Sequence, residues 1–250
     1  MISAAGYVQR ILKSSNRPMA EEQISPQPAD SLPTPPARRR RWPLAVGILA
    51  VVAIAGAVYG IKGLPGNGGF NDPSSPCAGT GEIVARVKPA IHGEVAAMVP
   101  AAGPLSLSQL SFRHADGTPA KLSDWEGKTL LLNLWATWCA PCRAEMPALD
   151  RLQAALGSKD FQVLEINVDT PNAGDKPKRF LNEIGVKSLA FQSDPTLGVF
   201  KALEKVSRSR GLPTTMLIDG KGCEIGTMYG PASWDTADGQ KLIAAALGRS

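Results

Sequence analysis

Residues 129–142 read Thr129-Leu130-Leu131-Leu132-Asn133-Leu134-Trp135-Ala136-Thr137-Trp138-Cys139-Ala140-Pro141-Cys142. The near-continuous apolar run from Thr129 to Ala136 predicts a buried strand. Pro141 to Leu156 then carries the pattern of a helix, so the two Cys fall where a strand runs out and a helix begins. That position suits redox chemistry. Unpaired N–H groups and the dipole at a helix N-terminus favour an anion, which stabilises a thiolate at Cys139 and leaves its sulfur exposed. Cys142, one turn further in, is close enough to close a disulfide and sheltered enough to wait. Only the thiolate attacks, so Cys139 is the expected nucleophile and Cys142 the resolving thiol.

Working outward, Phe161–Asp169 reads as a strand, Lys176–Gly185 as a helix, Leu189–Gln192 as a short strand and Leu197–Glu204 as a helix. Thr214–Asp219 and Cys223–Tyr229 flank Gly220-Lys221-Gly222, a hairpin signal, and Ala237–Leu247 closes as a helix. Strand–helix–strand followed by a hairpin and a helix predicts an α/β fold with a mixed central sheet flanked by helices. Upstream, Ile83, Val87, Ile91, Val95 and Met98 predict a helix over 82–98, kinked at Pro89.

The N-terminal quarter differs in composition. Of the chain's formal net charge of +5, nearly all sits in residues 1–41, where Arg10, Lys13, Arg17, Arg38, Arg39, Arg40 and Arg41 face Glu21, Glu22 and Asp30. After Lys62 the charges balance, so the folded region has no electrostatic footprint for nucleic acid. Trp42–Ile61 is twenty residues without a charge, matching a hydrocarbon core about 30 Å thick. The four arginines before it predict a cytoplasmic N-terminus and an external C-terminal domain. A core helix of that length normally carries a polar stripe. A cleaved signal peptide, with Ala55-Gly56-Ala57 as its site, sits poorly with about 40 preceding residues. The expected organisation is a disordered basic tail (1–41, or from Met19 if that is the start), a transmembrane anchor (42–61), a flexible linker (62–76), a helical extension (77–104) and the catalytic domain (105–250). At about 5–6 Å × √n the linker reaches roughly 20 Å.

The run from Leu131 through Cys142 to Arg143-Ala144-Glu145-Met146-Pro147 resembles the thioredoxin superfamily, and specifically its membrane-anchored TlpA-type thiol–disulfide oxidoreductases. Gly211-Leu212-Pro213-Thr214-Thr215, the Cys77/Cys223 pair and the single anchor extend the likeness. The resemblance implies a thioredoxin fold over about 105–248, with a helical extension and one transmembrane helix before it. It also implies a cis Leu212–Pro213 bond beside the Cys pair, at a conformational cost of only about 0.5–1 kcal/mol. Leu212 and Thr214 would then pair with an incoming substrate strand, and Trp138 would border the same groove. Pro147 matches the family's kinked active-site helix.

Thioredoxins carry a buried Asp where this chain has Asn133, and Asn cannot take a proton. Glu165, on the neighbouring strand, is the candidate base for Cys142, its pKa raised by burial; the alternative is a strand-edge carboxylate in solvent. Cys77 and Cys223 are expected to form a structural disulfide, as the resemblance supports and an oxidising compartment favours, against a second redox pair. A zinc site needs further ligands at suitable spacing. Cys77, Cys223, His92 and His114 do not supply them, so neither metal nor cofactor is expected, and the two His are read as surface residues without a role.

Ala140-Pro141 places no cation or His beside Cys139, which predicts a modest pKa depression and a reducing poise. What the resemblance implies about function is a single-pass inner-membrane protein with its catalytic domain in the periplasm. It would take electrons from a transmembrane thiol reductase and reduce the copper-site cysteines of cytochrome oxidase subunit II and a Sco-type copper chaperone. Reduction of apocytochrome c is the alternative within the enzyme class. A non-enzymatic Cu(I) module holding copper on Cys139 and Cys142 is the alternative outside it.

Overall fold

The computed structural model describes residues 69–249 except Asn71. The tail, the Trp42–Ile61 anchor and most of the linker expected from the sequence lie outside the described residues. Among the described residues no helix is long and apolar enough to cross a membrane.

The chain order is α1 (Thr80–Val87), β1 (Val99–Pro100), β2 (Ser111–His114), β3 (Pro119–Lys121), β4 (Thr129–Trp135), α2 (Ala140–Leu156), β5 (Phe161–Asn167), α3 (Lys176–Glu183), β6 (Gln192–Ser193), α4 (Gly198–Lys205), β7 (Thr214–Ile218), β8 (Glu224–Tyr229) and α5 (Ala237–Ala246). The strands form one mixed sheet in the order β1-β8-β7-β4-β5-β6-β2-β3. β4 is central and all seven of its residues are buried. It pairs parallel with β5, aligning Asn133 with Glu165, and antiparallel with β7, aligning Asn133 with Thr215. A parallel neighbour needs a crossover, and α2 supplies it, burying Cys142, Met146, Leu149 and Leu152.

The expected α/β fold with a mixed sheet is the one observed. Several elements differ in extent. The 82–98 helix stops at Val87, and two short 3-10 turns, Lys88–Ala90 and Gly93–Val95, follow it. Pro89 supplies no N–H to continue the ladder, and Gly93 takes φ +56°, so the helix ends there instead of kinking. The extension expected to be helical also contributes β1, which adds an edge to the sheet through Val99 and Pro100. Leu189–Gln192 is a loop up to Gln192, because the segment meets β5 at only two registers, Ile166–Gln192 and Asn167–Ser193. The hairpin β2–β3, which joins the sheet through β6 and leaves β3 at its edge, has no counterpart among the elements expected from the sequence.

The extension is fastened at several points. Cys77 and Cys223 are joined by a disulfide, with Cα atoms 5.6 Å apart. Thr80 Oγ1 donates to Asp219 Oδ2 at 2.6 Å and Lys221 Nζ to the Ala78 carbonyl at 2.7 Å. Asp219 Oδ1 in turn accepts the N–H groups of Lys221 and Cys223, ordering the β7–β8 turn. α1 packs on α5 and β8.

Candidate active site

At the C-terminal end of β4 the chain leaves the sheet through Ala136–Trp138 and enters α2 with Cys139 as N-cap, its backbone extended at φ −86°, ψ 100°. A non-helical N-cap whose side chain accepts a backbone N–H is the usual way to start a helix. Here the acceptor is sulfur: Cys139 Sγ takes the Cys142 N–H at 3.3 Å. The two Cys are joined as a disulfide. Cys142 is fully buried and Cys139 is 5% exposed, whereas Trp138 is 69% exposed. Cys139 is thus less open than its place at a helix start predicts, because in the bonded state its sulfur is turned onto Cys142. The loop ahead of the pair is held from the segment just after β5: Thr137 donates its N–H and its hydroxyl to the two oxygens of buried Asp169, at 2.8 and 3.0 Å.

The loop before β7 lies at the same end of the sheet, since Thr214 is opposite Leu134 near the end of β4; in this loop the Leu212–Pro213 bond is cis. Pro213 is buried and Leu212 half-buried. Leu212 makes no backbone hydrogen bond among the described residues, so its N–H and C=O remain able to pair with an added strand. Thr214 turns inward, its hydroxyl donating to the Gly211 carbonyl at 2.7 Å. The loop is tied to β8 by Arg208, whose Nε reaches both oxygens of buried Glu224 at 2.6 and 2.7 Å, and by Tyr229 Oη donating to the Ser207 carbonyl.

Two buried carboxylates lie within this framework, and they are not equivalent. Glu165 is fully buried, so the solvent-edge alternative fails. Burial pushes its pKa well above the usual carboxylate range, against the hydrogen bonds from Trp135 Nε1 and the Gln192 N–H. No hydrogen bond among the described residues links it to the Cys pair; its partners are Trp135 on β4 and Gln192 on β6, and the Gln192 side chain meets His114 at 3.1 Å. His114 is accordingly half-buried against Trp125 rather than a free surface residue, while His92 lies at the surface, 3.5 Å from Asp238.

Glu145, to which the sequence alone assigns no role, lies three residues beyond Cys142 on the same face of α2, a spacing that sets Cβ atoms about 5–6 Å apart. It is 4% exposed. Burial raises its pKa to about 7, opposed by hydrogen bonds from Asn133 Nδ2, the Ala232 N–H and Trp234 Nε1. Asn133 binds Glu145 at 2.8 Å and Thr215 Oγ1 at 2.9 Å with the same amide nitrogen. The carboxylate that a thioredoxin carries on the strand is thus replaced by one on the helix, steadied by the strand's Asn. A cavity of about 370 Å³, lined among others by Glu145, Ala148, Arg151, Ala232 and Asp235, runs beside it. A signal for Glu145 is present in the sequence: it is an acid on the apolar stripe Cys142–Met146–Leu149–Leu152.

A carboxyl with a pKa near 7, one turn from the buried thiol, can accept the Cys142 proton around neutrality. Glu145→Gln is predicted to slow turnover by roughly 10²-fold and to remove a rise in rate through about pH 7 that the parent shows. The linked stability effect has a definite sign. The folded pKa lies above the unfolded value, so the contribution of Glu145 is complete below about pH 4.5 and is lost as pH rises through about 7. Its size is at most about 3 kcal/mol. Urea titrations at pH 5 and 8 should therefore differ less for the Gln variant than for the parent; an equal difference would remove Glu145 from this role.

The Redoxin family model matches residues 98–243. Thioredoxin-like protein YneN of Bacillus subtilis is 34% identical over 122 residues, covering 47% of this chain and 68% of that protein. Thiol-disulfide oxidoreductase ResA of Bacillus cereus is 29% identical over 130 residues, covering 50% of this chain and 68% of that one. Among solved structures, a thiol:disulfide interchange protein of the thioredoxin family from Chlorobium tepidum TLS is 28% identical with a TM-score of 0.48, covering 59% of this chain and 99% of that one.

Proposed function

This chain belongs to the Redoxin family and is a TlpA-like thiol–disulfide oxidoreductase with a thioredoxin fold, and we propose that it works as a reductase of specific protein disulfides. The observation that carries the direction is the buried Glu145 beside the Cys pair. A carboxylate one turn from Cys142 disfavours a second negative charge on sulfur. A pair whose thiolate is poorly stabilised holds its electrons weakly and gives them up to a substrate. Exposed cations nearby act the other way, but solvent and salt screen them, and the buried group dominates.

In the proposed cycle the Cys139 thiolate attacks one sulfur of a client disulfide, and the client's other sulfur leaves as a thiolate that takes a proton. Cys142, deprotonated by Glu145, then attacks Cys139 sulfur. The client departs as a dithiol and the pair is left as the disulfide seen here. Trp138 and Leu212 border the groove in which the client strand lies, and Pro213 and Thr214, both buried, position Leu212 from behind. Cys77 and Cys223, both buried, serve the structure.

The clients we propose are the copper-site cysteines of cytochrome oxidase subunit II and of a Sco-type chaperone, met in the periplasm. Trp42–Ile61 would anchor the protein in the inner membrane, and a transmembrane thiol reductase would re-reduce the pair. The likeness of Leu131–Pro147 and of the Gly211–Thr215 loop to TlpA-type proteins supports this choice. The test is to mix the reduced protein with the oxidised soluble domain of each client. Appearance of two client thiols for each Cys139–Cys142 pair oxidised is expected. Transfer to apocytochrome c but to neither copper protein would reassign the client, and tight Cu(I) binding with no transfer would replace the enzyme by a copper module.

A further inference from the structure

Beside the exposed Trp138 a surface cavity of about 350 Å³ opens between the start of α2 and α3. Arg143, Lys176, Arg179 and Phe180 line it together with Trp138, and Glu183 is the single carboxylate on its rim. Arg143 follows Cys142 directly, and its guanidinium is held over the Phe180 ring, 4.7 Å from the centroid. None of the three cations forms an ion pair among the described residues.

The stability of α3 does not account for its cations. Lys176, Lys178 and Arg179 crowd its first turn, where the macrodipole favours acids. That turn has no acid, and the Asp175 side chain makes no capping bond. Lys178 is engaged elsewhere, donating to the Ala115 carbonyl at 2.7 Å. Lys176 and Arg179 are left on the groove, with Arg143, next to the exposed aromatic that adjoins the nucleophile. The Cys-Ala-Pro-Cys motif holds no cation between its two Cys; the fold brings three from outside it.

We infer that this groove recognises an acidic segment of the client, so that the protein selects disulfides with carboxylates within a few residues of the attacked cysteine. The inference rests on the reductase reading and adds a selectivity to it. Trp138, 69% exposed, offers an apolar face to the client chain while buried Phe180 backs Arg143, and the cations without ion-pair partners among the described residues offer the charge complement that steers encounter and fixes register.

The experiment uses the full chain in detergent with three disulfide-bridged peptides of one backbone, flanked by Glu, by Gln or by Lys. The expected ratio of kcat/KM for the Glu over the Gln peptide is about tenfold at low ionic strength, falling toward one as salt screens exposed charges. In Lys176→Gln/Arg179→Gln the ratio falls to within about twofold of one, and in Lys176→Glu/Arg179→Glu the Lys peptide becomes the preferred substrate. These residues are exposed, so the fold tolerates the changes. Equal kcat/KM for all three peptides in the parent, or a preference kept in the double variants, overturns the inference while leaving the reductase intact. Failure to reduce any peptide would instead strike the reductase reading itself.

Discussion

Cys139→Ser is expected to lower disulfide reduction by at least about 10³-fold, to the solution background, because the variant has no thiolate to open the client disulfide. Cys142→Ser is expected to fail differently. Cys139, capping α2, can still attack, but nothing inside the protein then attacks Cys139 sulfur. The client stays covalently attached. Mass spectrometry of Cys142→Ser mixed with an oxidised client should show a one-to-one adduct that dithiothreitol releases. Adducts forming at Cys142 in a Cys139→Ser background, at the parent's rate, would invert the assignment. The burial of Cys142 argues against that outcome, since a sulfur with no exposed surface cannot meet an incoming disulfide.

The largest expected effect on stability comes from the other disulfide. Opening the Cys77–Cys223 bridge as Cys77→Ser/Cys223→Ser frees a loop closed across 146 residues, for which the chain-entropy account gives up to about 5 kcal/mol. A domain of ordinary stability has about 5–15 kcal/mol in total. The hydrogen bonds of Thr80 and Lys221 and the packing of α1 on α5 hold the extension in place in the folded state, so the loss should appear as a lower urea midpoint and not as an altered fold. With Cys139 and Cys142 intact, a loss below about 1 kcal/mol would show that the bridge does not staple the domain. Both sulfurs belong to buried residues, which disfavours their use as a second redox pair.

What can be read in advance follows local physics. The β4 run and the start of α2 declare themselves because an apolar segment that ends at a Cys N-cap with Pro141 behind it has few other conformations open to it. The short strands do not. β1, β2, β3 and β6 are two to four residues long, so no periodicity can develop. Pro89 illustrates a subtler failure: apolar spacing continues past it, but the backbone cannot.

At the site, the missing Asp at 133 is legible and its replacement is not. Glu165 looks like the base because it neighbours Asn133 in the sheet. The side chains decide otherwise: Trp135 and Gln192 take up Glu165, while Asn133 turns its amide to Glu145. Which carboxylate shares a helix face with Cys142 and reaches Asn133 depends on how α2 crosses β4, and that is a property of packing. The same holds for Lys176 and Arg179, which are remote from Cys139 in sequence and reach its neighbourhood only because α3 packs beside the start of α2.

The most direct test of the central claim is the reduction potential of the Cys139–Cys142 pair, measured by equilibrating the full chain with a thiol buffer while Cys77–Cys223 stays closed. A reductase with a buried carboxylate beside its pair should fall at about −230 mV or lower, in the range from glutaredoxins to thioredoxin. A value near about −120 mV, where strongly oxidising pairs lie, would contradict the account and turn the protein into a donor of disulfides.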